Sequence, residues 1–113
     1  MHKITRAISV AILVLYIFTS GCERINAIAV NKMRGGAIVD ALYSYKQDNG
    51  SFPNKLSLLV PKYLDVVPQT VNGDEFFYSV DIVNGFNLSF TVSKNYGCGL
   101  TDKSHEWECG YGD

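Results

Sequence analysis

Phe76-Phe77-Tyr78-Ser79-Val80-Asp81-Ile82-Val83-Asn84-Gly85-Phe86-Asn87-Leu88-Ser89-Phe90-Thr91-Val92 is the stretch on which the fold turns. Phe76, Tyr78, Val80 and Ile82 alternate with polar residues except at Phe77, and Phe86, Leu88, Phe90 and Val92 alternate with Asn87, Ser89 and Thr91. A period of two gives each of two strands one apolar row, with a turn at Asn84-Gly85 between them. A two-residue turn would pair Val83 with Phe86 and throw the two rows onto opposite faces. A three-residue loop, Val83-Asn84-Gly85, pairs Ile82 with Phe86, Val80 with Leu88, Tyr78 with Phe90 and Phe76 with Val92. It also gives Gly85 the left-handed position that such loops require, and it is the register expected. Phe77 then falls on the polar face.

Downstream, His105, Trp107 and Cys109 alternate with Ser104, Glu106 and Glu108, which predicts a third strand whose inner face carries the tryptophan and a cysteine. Upstream, Ile38, Ala41, Leu42 and Tyr45 recur at the spacing of a buried helical stripe, and the helix is expected from Cys22 to about Asn49, where Gly50 ends it. The Gly35-Gly36 pair costs on the order of 1 kcal/mol per glycine against alanine, so the first half of this helix reads as a looser spacer. Gly50-Ser51-Phe52-Pro53 redirects the chain, and Asn54 is placed to cap a short helix carrying Leu56, Leu59 and Val60. Pro61 and Pro68 bracket an irregular stretch that Tyr63 and Leu64 pin to the core. The expected class is α+β, one long N-terminal helix packed on a small antiparallel β-sheet.

The N-terminus carries a different signal. His2, Lys3 and Arg6 form a basic head, residues 7–18 are apolar apart from Ser9, and Thr19, Ser20 and Gly21 follow. A membrane span needs roughly 20 apolar residues, and this run is shorter, so it reads as a secretory signal over residues 1–21. Ser20-Gly21-Cys22 resembles the lipobox of bacterial lipoproteins, with Thr19 where that family usually has leucine. The resemblance implies cleavage before Cys22 and diacylglycerol on its sulfur. It also accounts for a third cysteine in an exported chain. Each buried methylene of an acyl chain contributes about 0.8 kcal/mol, enough for two or three chains to hold the remainder on a bilayer. Glu23 stands where aspartate is associated with inner-membrane retention, so the expected location is the cell envelope, on the outer membrane facing the periplasm.

The chain has ten basic and eleven acidic side chains, and losing Lys3 and Arg6 with the signal leaves eight against eleven. From Gly50 onward four lysines face eight acids, so the globular part offers no basic stripe to a phosphate backbone and nucleic-acid binding is not expected. A remainder this small makes one domain with a modest core. In an exported chain the default for Cys98 and Cys109 is a disulfide, and closing a loop of about 12 residues stabilises by roughly 2 to 3 kcal/mol. Three segments are expected: the signal at residues 1–21, a tether and helix start at residues 22–36, and a globular domain at residues 37–113.

The segment Tyr45-Lys46-Gln47-Asp48-Asn49-Gly50-Ser51-Phe52-Pro53, then Leu56 to Leu59, Val60-Pro61-Lys62-Tyr63-Leu64 and Pro68, resembles the head domains of type IV pilins and type II secretion pseudopilins. In those families a helix ends in a tyrosine, a polar turn with glycine and an aromatic-proline pair, and a short leucine-bearing helix and a small sheet follow. Many close a C-terminal loop with two cysteines, a part for Cys98 and Cys109. The resemblance covers Ala37 to about Cys109. The departure is at the N-terminus. Pilins are cut after a glycine and keep a hydrophobic helix with an early glutamate, whereas here the apolar run precedes the candidate cut and contains no acid. The resemblance implies a pilin-like head on a lipid anchor, or, with residues 4–18 uncut, a minor pilin or pseudopilin.

Catalytic chemistry has little to build on. His105 is the histidine left after processing, and with Asp102, Glu106, Glu108, Cys98 and Cys109 it matches no compact zinc spacing. Asp102 is one acid in the loop from Gly97 to Lys103, too few for calcium. No Gly-x-Ser-x-Gly elbow is present. The expectation is a non-enzymatic, structural or protein-interaction module with no catalytic residues, metal, cofactor or small-molecule substrate. Its partners are the membrane, through the lipid anchor, and another envelope protein. Phe77, with Trp107 or Tyr111, is the expected contact patch.

Overall fold

The computed structural model describes the backbone of residues 2–81, 83 and 85–112, and the side chains at those positions from Asn26 onward. The expected signal at residues 1–21, the lipid acceptor Cys22, and the loop residues Ile82 and Asn84 lie outside the described side chains.

One α-helix, α1, runs without a break over His2–Asn49, 48 residues. Its start lies well upstream of the expected one near Cys22. Leu, Ile and Ala are tolerant helix formers and no proline precedes Pro53, so nothing in the backbone stops the helix earlier. Its end is built locally. The Gly50 amide donates to the Lys46 carbonyl at 2.7 Å with Gly50 at φ 87°, and the Asn49 side chain donates to the Tyr45 carbonyl at 2.9 Å. Both satisfy carbonyls that a helix end leaves without partners.

A single 3-10 turn, Leu56–Leu59, follows. Its N-cap is Lys55 rather than the expected Asn54, and no side chain caps it. One turn of i to i+3 bonds leaves few amides to cap. Leu59 is fully buried, and Tyr63 and Leu64 pack against the core as expected.

Four strands form an antiparallel meander in the order β1-β2-β3-β4: β1 Phe77–Asp81, β2 Gly85–Thr91, β3 Tyr96–Thr101 and β4 Glu108–Tyr111. In the first hairpin Val80 pairs with Phe86 and Tyr78 with Leu88, a slip of two residues from the expected register. A slip of two preserves side-chain parity, so the apolar rows still share a face. Gly85 has φ 91° and pairs with Asp81, while Phe76, expected in the strand, lies buried just before it.

The predicted third strand over residues 105–109 is corrected twice. β3 lies earlier, in Tyr96-Gly97-Cys98-Gly99-Leu100-Thr101, whose glycines weaken any strand signal. Gly97 is there for space, because a Cβ would come within 2.6 Å of the Phe90 carbonyl oxygen. β4 begins only at Glu108, because His105 adopts φ 57° in the turn that precedes it.

The helix meets the sheet through Ile38, Ala41 and Leu42 on one side and Phe86, Leu88, Phe90, Cys98 and Leu100 on the other, all buried. Fully burying a side chain of this size contributes about 1.5 to 3 kcal/mol. Aromatic clusters pin both ends of the contact. Tyr43, Phe52 and Phe86 meet edge-to-face with centroids 4.9 to 5.9 Å apart, while Phe90 lies 5.9 Å from Phe76 and 5.3 Å from Trp107. Contacts to the sheet side reach back along α1 to Ile28. Asn31, buried, accepts the Val71 amide at 2.8 Å, and Arg34 donates to the Gln69 carbonyl at 2.9 Å.

Trp107 explains the glycine pair. A Cβ on Gly35 would lie 2.6 Å from the indole ring, whereas one on Gly36 meets nothing within 4 Å. Gly35→Ala therefore lowers stability by about 1 to 3 kcal/mol despite its better helix propensity. Gly36→Ala raises it by up to about 1 kcal/mol. Urea unfolding midpoints of the two variants separate the effects.

Candidate interaction surfaces

The residues singled out from sequence do not converge. Cys98 and Cys109 form a disulfide joining directly paired positions of β3 and β4, with Cys98 buried and Cys109 exposed. His105, Glu106 and Glu108 are exposed around the β3–β4 turn, and among the described residues no three His, Cys, Asp or Glu side chains group as a metal site.

The expected aromatic patch is dispersed. Phe77 is 63 % exposed on the outer face of β1, the face turned away from α1. Trp107 packs against Phe90 and the helix at Gly35, which makes it part of the core wall. Tyr111, paired with Tyr96, shares the inner face with the disulfide at the far edge of the sheet. Trp107 and Cys109 lie on the inner side as the alternation expected, although the strand itself starts only at Glu108.

The outer face has Phe77 in a row with Ser89, Gly99 and Glu108, beside Ser79, Asn87 and Thr101. Phe77 is thus one large aromatic on a floor of small and polar side chains. β4 is exposed along its whole length and forms one edge of the sheet.

Several clefts open on the head, and two of them flank the turn after α1. The first, about 520 Å³, opens between the end of α1 and the β1–β2 hairpin, lined by Lys46, Phe52, Asn54, Val80, Asp81 and Asp102. Lys46 Nζ stands 4.6 Å above the Phe52 ring, a cation over an aromatic face. One carboxylate oxygen of Asp102 is buried without a hydrogen-bond partner. Burial first, and then the charge of Asp102, push the Tyr43 hydroxyl above its usual range. Nearby, the Tyr63 hydroxyl donates to Asp48 at 2.7 Å and, with Lys62, holds that carboxyl below its usual range. The second cleft, about 400 Å³, includes Lys55, Leu56, Pro68, Gln69, Glu75 and Tyr78. There the Tyr78 hydroxyl donates to the Pro53 carbonyl at 2.6 Å, tying β1 to the turn after α1. These tertiary pairings carried no sequence signal beyond the alternation that points Tyr78 inward.

Among the residues whose side chains are described no helix is long and apolar enough to cross a membrane; the apolar run at residues 7–18 lies outside them. No family model, curated protein or solved structure matches this chain.

Two measurements probe these contacts. Burial pushes Tyr78 up from 10 to about 12. The unfolded chain releases that proton first, so its contribution to stability is complete below pH 10 and is lost as pH rises toward 12. Urea midpoints over this range fall for the native chain, and fall less for Tyr78→Phe. Replacing Cys98 and Cys109 together by alanine lowers stability by about 2 to 3 kcal/mol, read as a shift in the same midpoint under non-reducing conditions.

Proposed function

We propose that this chain is a non-enzymatic, lipid-anchored module of the bacterial envelope, whose pilin-head-like domain is presented to a protein partner. One juxtaposition carries the reading: an apolar, basic-headed segment ends in Ser20-Gly21-Cys22, and beyond it α1 packs on a disulfide-closed antiparallel meander. The element order supports the likeness to pilin heads. A helix ends at Asn49, Phe52 and Pro53 are buried in the turn, a leucine-bearing turn follows, and the antiparallel sheet carries the disulfide near its end. Phe77 is the residue we assign to partner contact, since a large exposed aromatic on a polar floor is a common protein-binding feature. Outer-membrane placement facing the periplasm follows from Glu23 after the acceptor cysteine.

A second reading is favoured by one observation. α1 passes through Gly21 and Cys22 as a single helix from His2. Uncut, it is the form a minor pilin or pseudopilin would need, with residues 4–18 as its membrane helix.

Intact mass and membrane fractionation of the native chain and Cys22→Ser separate the two. Lipid anchoring expects a native mass lacking residues 1–21 and carrying acyl chains, and a Cys22→Ser chain that is unprocessed and unmodified. Retention of the full N-terminus without acyl mass, unchanged by the substitution, rejects anchoring and leaves the second reading standing.

A further inference from the structure

We infer that the end of the head from which α1 leaves toward its N-terminus rests on the lipid headgroup layer, through Tyr111, Tyr96 and Lys94. The inference rests on the lipid-anchor reading above.

The direction of β2 places these residues. Phe86 packs 5.9 Å from Tyr43, near the end of α1, whereas Phe90 packs 5.3 Å from Trp107, which lies over Gly35. β2 therefore runs opposite to α1, and the β2–β3 turn lies at the end where the chain departs toward residue 22. Tyr96 begins β3 there, Tyr111 pairs with it, and the Gly112 amide closes the end by donating to the Asn95 carbonyl at 2.7 Å. The loop bonded to Asn31 through Val71 belongs to the same end.

The chemistry of this end suits a headgroup layer. Tyr111 is 80 % exposed, its ring 5.0 Å from Tyr96, and exposed Lys94 shares a cleft with both tyrosines, while Val71, 47 % exposed, lies in the loop bonded to Asn31. Glu108 lines the same cleft as Lys94, Tyr96 and Tyr111, and Asp74 lies in the loop bonded to Asn31, its carbonyl accepting the Thr70 amide. A phenol has an apolar body and a polar tip, and lysine keeps a charged head on an apolar stem. Both are side chains that concentrate where hydrocarbon gives way to water.

Reach is sufficient. Residues 22 to 31 span about 14 Å of helix, and the polar layer on each side of a bilayer is about 5 to 8 Å deep. With the anchor at Cys22, α1 above that point has no hydrocarbon holding it upright. Its tilt is set by what the head touches, and leaning toward the sheet side lowers the tyrosine end onto the lipid.

The test uses the processed, acylated chain in vesicles of phosphatidylethanolamine and phosphatidylglycerol, part of them brominated on the acyl chains near the headgroup. Trp107 alone sets the baseline. Tyr111→Trp and Lys94→Trp add a reporter at this end, and Val83→Trp, at the opposite hairpin, adds a control. The expected result is about twofold greater quenching of the added emission for Tyr111→Trp and Lys94→Trp than for Val83→Trp. Equal quenching at the two ends, with the protein floating on the vesicles, overturns the inference and leaves the anchor standing. Greater quenching at Val83→Trp overturns it too. A chain that does not float with the vesicles overturns the anchor and this inference together.

Discussion

The close approach of Trp107 to Gly35 is the constraint on which the rest of the head depends. The indole lies where a side chain on the helix would otherwise stand. That single missing Cβ lets the segment before β4 reach α1, pass over Phe90 and close the core at one end. The disulfide then joins Cys109, just beyond the tryptophan, to buried Cys98 on β3. Helix, sheet and C-terminus are thereby joined in one short stretch of chain, at a helix position that propensity alone would score as a weakness.

The opposite end is held by different means. Tyr43, Phe52 and Phe86 pack edge-to-face, and the turn after α1 is tied back to β1 by the Tyr78 hydroxyl. Both attachments are tertiary and both use aromatic rings, which bury much area with few rotatable bonds. Between them the aliphatic residues of α1 and β2 supply the bulk of the burial. A small domain gains from being clamped at both ends of a long helix, since its core alone is modest.

This arrangement separates three surfaces with different chemistry. The inner face of β2 and the middle of β3 is covered by the helix. The outer face of the sheet is small and polar around Phe77, and suits a protein partner. The end where α1 departs is tyrosine-bearing with a nearby lysine, and suits the membrane from which the chain is proposed to hang. In the proposed arrangement, contact of that end with the membrane would present the outer face to a partner in a defined orientation.

The sequence by itself determined the class of fold and the helix and hairpin side of the core. Period two in Tyr78, Val80, Phe86, Leu88 and Phe90, and the helical stripe from Ile38 to Tyr45, follow from which faces meet water, and a slip of two residues in the hairpin left both intact. The Cys98–Cys109 pairing was legible from the expectation that the chain is exported. Tertiary structure decided the rest. β3 was hidden because Gly97 and Gly99 carry no pattern to read, and Gly97 is glycine for the sake of a carbonyl oxygen on the neighbouring strand. Trp107 faces the core, as the alternation around it expected, and so left the alternative contact patch, while Tyr111 and Phe77 went to opposite faces, because strand boundaries depend on turns such as the one at His105. Periodicity reports what a residue's own neighbours in the chain require. A close approach between distant segments leaves only a glycine, and a glycine does not name its partner.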